Sequence, residues 1–290
     1  MTSSLANQLA AAPISWGVCE AADWGYQLPP ERVLADMQNL GIKATEFGPL
    51  GFLPVAPAPR AAMLQSYGLG AIGGFFPSVL HQEGNDPLPA IERELDAFEA
   101  SGATVLVLSA DSGAVSYDAK QELTPAQWKT LGANLDEAVR RAGERGITAV
   151  LHPHVGTMIE SATAVERLLN DTGANICLDT GHLLIGGTDP LELVRNYASR
   201  VGHAHLKDVN AELAGQVGRG ELGFTAGVKA GMFVPLGQGD CRIAEIVAAL
   251  VAVKYQGWYV LEQDAILSQA PEGEGPMADV RRSVDFLLAQ

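Results

Sequence analysis

The chain has 290 residues, 47 % of them apolar, with 34 acidic against 19 basic residues and a formal net charge of −15. That length exceeds the usual small domain but suits one α/β barrel, and the apolar content supports a large core. The negative charge repels nucleic acid and anionic membranes, which excludes both as expected partners, and no apolar run reaches the roughly 18 residues that a membrane span needs.

Strand-like and helix-like segments alternate along the chain. The segment up to Ala12 lacks the basic start of a secretory leader. The three cysteines, Cys19, Cys177 and Cys241, form no Cys-x-x-Cys pattern, so a reducing, cytoplasmic setting is expected. The first strand is expected at 13–17 and a helix at 30–40, with Val33, Leu34, Met37 and Leu40 at helical spacing and Gly41 ending it. Strands follow at 44–47, 71–76 and 104–108, separated by a short helix before Gly68 and a longer one at 87–101. Thr124 caps a helix with Pro125 at its first position, which runs to about 145. Further strands are expected at 147–151, 176–178, 201–206 and 258–261. They alternate with helices at 161–170, after Asp189-Pro190, at 242–255 and at 278–289. Eight such units in strict alternation predict a single (β/α)8 TIM barrel over 1–290, with an open doubly wound sheet as the alternative. Two long loops, at about 210–239 and 264–277, follow late strands. Each is either a substrate cover or an ordinary insertion.

Gly68-Leu69-Gly70-Ala71-Ile72-Gly73 matches G-x-G-x-x-G. A dinucleotide fingerprint must follow a strand and open a helix. Here the glycines follow a helix and enter a strand, so that reading is rejected.

The chemistry-bearing residues gather at the ends of the late strands. His152 and His154 follow the fifth strand two apart, on one face. Asp179, His205 and Glu262 end the sixth, seventh and eighth strands. In a barrel these ends converge on one point. Each residue alone has an ordinary structural explanation. Together, on consecutive strand ends, they predict a divalent-metal site. Carboxylate and imidazole without thiolate suit Mn²⁺, Co²⁺, Mg²⁺ or Fe²⁺ as well as Zn²⁺. His182 falls in the loop beyond Asp179 and faces the same cavity from the rim. Glu46 ends the second strand and is a candidate to hold a histidine or bind a substrate hydroxyl. Glu160 is a candidate acid or base, or a helix cap. Lys207 keeps the inward phase of His205 and is placed to neutralise an enolate. Arg219 in the long loop and Trp16 at the end of the first strand are weaker candidates for substrate contact. Solvent exposure and core packing, respectively, are their alternatives.

These segments resemble the xylose isomerase-like barrels, which include sugar isomerases, epimerases and inosose dehydratases. Leu178-Asp179-Thr180-Gly181-His182, His203-Ala204-His205-Leu206-Lys207-Asp208 and Glu262 are similar to the family's late-strand motifs. Glu46-Phe47-Gly48-Pro49, His152-Pro153-His154, Val234-Pro235-Leu236-Gly237-Gln238-Gly239 and Leu261-Glu262-Gln263-Asp264 resemble the inosose dehydratase branch. The resemblance implies Asp179, His205 and Glu262 as metal ligands, His182 as a substrate contact, and either His152 or His154 as the fourth ligand. It also implies a small keto-polyol or sugar substrate, a homodimer, and proton abstraction beside a carbonyl to give an enediolate. Loss of a β-hydroxyl then gives dehydration, and reprotonation gives isomerisation or epimerisation. A barrel that binds a polyol without turning it over is the reading outside the enzyme class.

Overall fold

The protein is described by a computed structural model that covers residues 2–21, 23–114 and 117–290. Eight parallel strands close into a barrel: β1 (Leu9–Ala11), β2 (Ala44–Glu46), β3 (Gly70–Ser78), β4 (Val105–Ala110), β5 (Thr148–Leu151), β6 (Asn175–Asp179), β7 (Val201–Leu206) and β8 (Tyr259–Leu261). Each strand pairs with its sequence neighbour, and β1 closes the ring on β8 with Leu9 opposite Tyr259 and Ala11 opposite Leu261. The open-sheet alternative is therefore excluded. Helices Pro30–Asn39, Pro57–Ser66, Leu88–Ser101, Pro125–Glu144, Ala162–Asp171, Pro190–Tyr197, Ile243–Ala252 and Met277–Leu288 connect and surround the strands. The expected cap at Thr124 is a full capping box, closed by Gln127. Among the described residues no helix is long and apolar enough to cross a membrane.

The core has two layers. Inside the barrel a small-residue cluster of Ala10, Ala12, Ala44, Ile72, Val105, Val107, Val150, Cys177 and Val260 fills the axis. A larger apolar layer lies between strands and helices, with Leu34, Met37, Ile91, Leu95, Leu131 and Leu135 fully buried. Gly73 shows how tight the inner wall is. It lies opposite the register shift between Thr45 and Glu46, at φ +129°, and a Cβ there would meet the Val105 carbonyl oxygen at 1.9 Å.

Two segments differ from expectation. The strand expected at 13–17 is a 3₁₀ helix, Pro13–Trp16, and the first barrel strand lies just before it. Alanines next to the barrel axis carry little strand propensity, and packing against Ala44 decides the matter. The long loop at 210–239 holds two short helices, Ala211–Gly218 and Phe224–Lys229, and a strand, Phe233–Val234, paired antiparallel with Asp208–Val209. The buried carboxylate of Asp208 ties this insertion to the barrel. It accepts from the backbone N–H groups of Gly237 (2.8 Å), Gly239 (3.0 Å) and Cys241 (3.0 Å). The loop at 264–277 packs over the first βα connection, where Trp24 Nε1 donates to the Ala265 carbonyl at 2.9 Å.

Candidate active site

Four strand ends deliver the charged residues. Asp179 ends β6 fully buried and caps the helix Thr180–Ile185, its Oδ1 accepting from His182 N at 2.8 Å. Its other oxygen lies 3.1 Å from His152 Nε2. His203 and His205 share the inward face of β7, and both rings place Nε2 2.8 Å from the same oxygen of Glu46, at the end of β2. Glu46 therefore fixes the orientation of His205, whose Nδ1 is turned to the other side. That nitrogen lies 3.2 Å from Glu262 Oε2 and 3.6 Å from Asp179 Oδ2. It is buried and makes no hydrogen bond, and His152 Nδ1 is also buried without one. Donor atoms of Asp179, His205 and Glu262 all lie within 4.8 Å of one another.

This arrangement fits a divalent ion. One imidazole nitrogen that makes no hydrogen bond faces two carboxylates, and a third carboxylate holds the ring from behind, as carboxylate–histidine–metal sites commonly do. His152 touches Asp179. His154 instead turns its Nδ1 to the Val155 carbonyl at 2.8 Å and stacks on His182 with ring centroids 3.8 Å apart.

Lys207 sits at the centre of the charges. Its ammonium is 2.8 Å from Asp264 Oδ1, 2.9 Å from Glu262 Oε2 and 3.4 Å from Asp179 Oδ2. Burial opposes that charge, but Asp179, Asp264 and Glu262 outweigh it and hold the lysine well above its ordinary pKa. Burial would likewise raise Asp179, yet Lys207 and the surrounding histidines keep it well below the usual carboxylate range. For Asp264 burial wins over Lys207 and pushes the carboxyl up to about 6. Burial holds His154 down to about 3, so its ring is neutral. Gly181 makes room for the lysine, since a Cβ there would lie 2.8 Å from Lys207 Cβ.

A cavity of about 380 Å³ opens over these groups, lined among others by Glu46, His152, His154, His205, Lys207, Glu262 and Asp264. Not every expected residue reaches it. His182 is on a helix rather than in a loop. It stacks on His154, its Nε2 is 3.2 Å from Lys207 Nζ, and like Asp179 it stands behind the residues that line the cavity. Glu160 accepts from Gly156 N at 2.8 Å and faces a separate groove beside Lys120 and Arg167, while Ser161 takes the helix-capping role. Trp16 is buried in the core, with Nε1 donating to Asp36 at 3.2 Å, because the chain there is a 3₁₀ helix and not a strand end. Arg219 is exposed and paired with Glu221 at 2.8 Å, away from the cavity.

Among the lining residues not singled out in the sequence are Asp264, Tyr117 and Phe224. Asp264 was legible in principle. It follows Glu262 by two, as Lys207 follows His205, and so keeps the inward phase. Phe224 arrives from the 210–239 insertion and Tyr117 from the loop after β4. No strand phase marks either one. The two rings lie 5.6 Å apart, and Tyr117 is 5.4 Å from His154.

A closed (β/α)8 barrel with a buried carboxylate–imidazole pocket at the C-terminal ends of its strands has the architecture of an enzyme. The model for the xylose isomerase-like TIM barrel family matches residues 34–290, and the chain belongs to that family. It is 32 % identical over 275 residues to an inosose dehydratase of Geobacillus kaustophilus (strain HTA426), covering 89 % of this chain and 87 % of that one. An inosose dehydratase of Lacticaseibacillus casei is 30 % identical over 293 residues, covering 97 % and 96 %. Among solved structures, the IOLI protein with a binding zinc atom superposes with a TM-score of 0.69 at 12 % identity, over 97 % of this chain and 98 % of that one. With these relatives, the chain is an enzyme acting on a sugar or polyol.

Proposed function

We propose that the chain is a divalent-metal-dependent lyase that dehydrates a keto-polyol such as 2-keto-myo-inositol through an enediolate. The observation that carries this reading is the buried Nδ1 of His205, which makes no hydrogen bond and is held between the carboxylates of Asp179 and Glu262 by Glu46 behind it. Asp179, His205 and Glu262 are the proposed ligands. His152 is the fourth, because it lies against Asp179 while His154 is engaged with Val155. A bound divalent ion supplies Lewis acidity toward a substrate carbonyl and its neighbouring hydroxyl. The relatives named inosose dehydratase and the zinc described for the IOLI protein support both the reaction class and the metal.

The chain's own residues do the remaining work. The Lys207 ammonium lies beside the carboxylate cluster, where it neutralises negative charge as it develops on the substrate oxygen. Asp264, in the cavity wall and paired with Lys207, is the proposed proton carrier. It takes the proton from the carbon next to the carbonyl, and the Lys207–Asp264 pair returns a proton to the departing β-hydroxyl. Neutral His154 offers Nε2 to a substrate hydroxyl, its Nδ1–H being committed to Val155. Phe75, Tyr117 and Phe224 cover the histidines and exclude water from the site.

The test is incubation of metal-loaded protein with 2-keto-myo-inositol, following the conjugated dione in the ultraviolet. Dione formation that is lost in Asp264→Asn and Lys207→Met is expected. An unchanged spectrum, with epimerisation of a ketose by the same preparation, would overturn the dehydratase in favour of an epimerase.

A further inference from the structure

The cavity is chemically two-faced. One pole holds the strand-end carboxylates, histidines and Lys207. The wall contributed by the loop after β2 and by the end of β3 is mostly apolar, with Phe47, Leu50, Leu53, Phe76 and Pro77. Leu50 is 88 % exposed at the rim, a large apolar side chain with nothing packed over it. The cation on this side is not available to a ligand's negative group. Arg60, only 7 % exposed, donates to the carbonyls of Pro54 (3.1 Å) and Val55 (3.1 Å), and its guanidinium lies 4.4 Å over the Phe47 ring. It braces the loop that carries the apolar wall, and the carboxylate of Glu94 beside it repels anions.

A free keto-inositol carries a hydroxyl on every ring carbon but one. With its carbonyl end at the polar pole, its far hydroxyls would leave water for a wall whose side chains are apolar but for Glu94 and the engaged Arg60, so most of their hydrogen bonds would go unreplaced, which is unfavourable. At about 380 Å³ the cavity falls within the range of about 300–1,000 Å³ that holds ligands larger than a bare six-membered polyol ring. We infer that the substrate is an O-substituted keto-polyol or keto-sugar, whose alkyl or aryl substituent lies against Phe47, Leu50, Leu53, Phe76 and Pro77. The inference rests on the keto-polyol reading above and narrows its substrate class. A phosphate or carboxylate substituent does not fit this wall, because the guanidinium is engaged and Glu94 stands beside it.

The test uses ligands that are not turned over, so that it is independent of the dehydration. Titration calorimetry compares myo-inositol with its mono-O-benzyl ethers on the metal-loaded protein. At least one benzyl ether is expected to bind about tenfold or more tightly than myo-inositol, from burial of its apolar area. Leu50→Asp, at an exposed position where circular dichroism checks the fold, is expected to erase most of that advantage. Benzyl ethers that bind no better than myo-inositol, or an advantage untouched by Leu50→Asp, would overturn the inference. A benzyl preference in a protein that forms no dione from 2-keto-myo-inositol would leave the apolar subsite standing and remove the proposed reaction instead.

Discussion

At the scale of the residue, Glu46 shows how much one side chain decides. Its single oxygen accepts from both His203 and His205, so the Nε2 protons of two buried rings are fixed by one carboxylate. Burial would raise its pKa, but His205 and His203 hold it far below the usual range, and it stays ionised. Glu46→Gln is expected to weaken divalent-ion affinity by about 10–100-fold, as loss of such a supporting partner does. Competition with a chromogenic chelator measures this, and an unchanged affinity would count against the assigned tautomer of His205. Trp16 gives the opposite case. If it belongs to the core, Trp16→Phe lowers unfolding stability by about 1–2 kcal/mol through the lost bond to Asp36 and leaves KM for substrate unchanged. A raised KM with unchanged stability would return Trp16 to the site.

The positions of the strand-end residues were legible because alternation along a strand is a hard geometric constraint. His203, His205 and Lys207 share a phase, and that phase can be counted in the sequence. Glu160, Arg219 and Trp16 lay outside it. Glu160 and Arg219 stand outside the strands, where no strand phase applies, and Trp16 is expected at the end of a strand that is in fact a 3₁₀ helix. His182 differs from its expected loop position for a related reason. Asp179 caps a helix at once, so the turn expected after β6 is the first turn of Thr180–Ile185, which carries the ring behind the cavity wall.

At the scale of the element, the legible features were those with local signals. The capping box at Thr124, the Asp189 cap and the β-branched strand β4 all lie where the sequence puts them. The insertion at 210–239 is expected from sequence only as a long loop. Its order depends on a contact distant in sequence, from Asp208 to the backbone at 237–241. Asp208→Asn keeps the shape but loses the charge that several N–H groups share. It is expected to cost about 2–3 kcal/mol, the scale of one hydrogen bond to a charged group, read as a lower midpoint in urea. No change in midpoint would mean that the insertion is held by its apolar contacts instead. Gly181→Ala acts on a neighbouring element. The added Cβ would press on Lys207 Cβ and Phe233, and kcat is expected to fall by about tenfold or more through a misplaced ammonium. Wild-type kcat in that variant would show that Lys207 tolerates displacement.

At the scale of the whole molecule, the barrel gathers residues from β2, β5, β6, β7 and β8 on one axis, although Glu46 and Glu262 are far apart in the chain. The charges gathered there are mostly negative, set against the ammonium of Lys207. The proposed divalent cation would complete that balance, and it would bind only the closed barrel. Chelation is therefore expected to lower the melting temperature. Ion at a hundred times its Kd contributes about 2.7 kcal/mol. The most direct test of the account is the metal content of purified protein, with Asp179→Ala and Glu262→Ala alongside the parent chain. The account predicts close to one divalent ion per parent chain and a large loss in each variant that retains its circular dichroism spectrum. Metal content unchanged in both folded variants would contradict it.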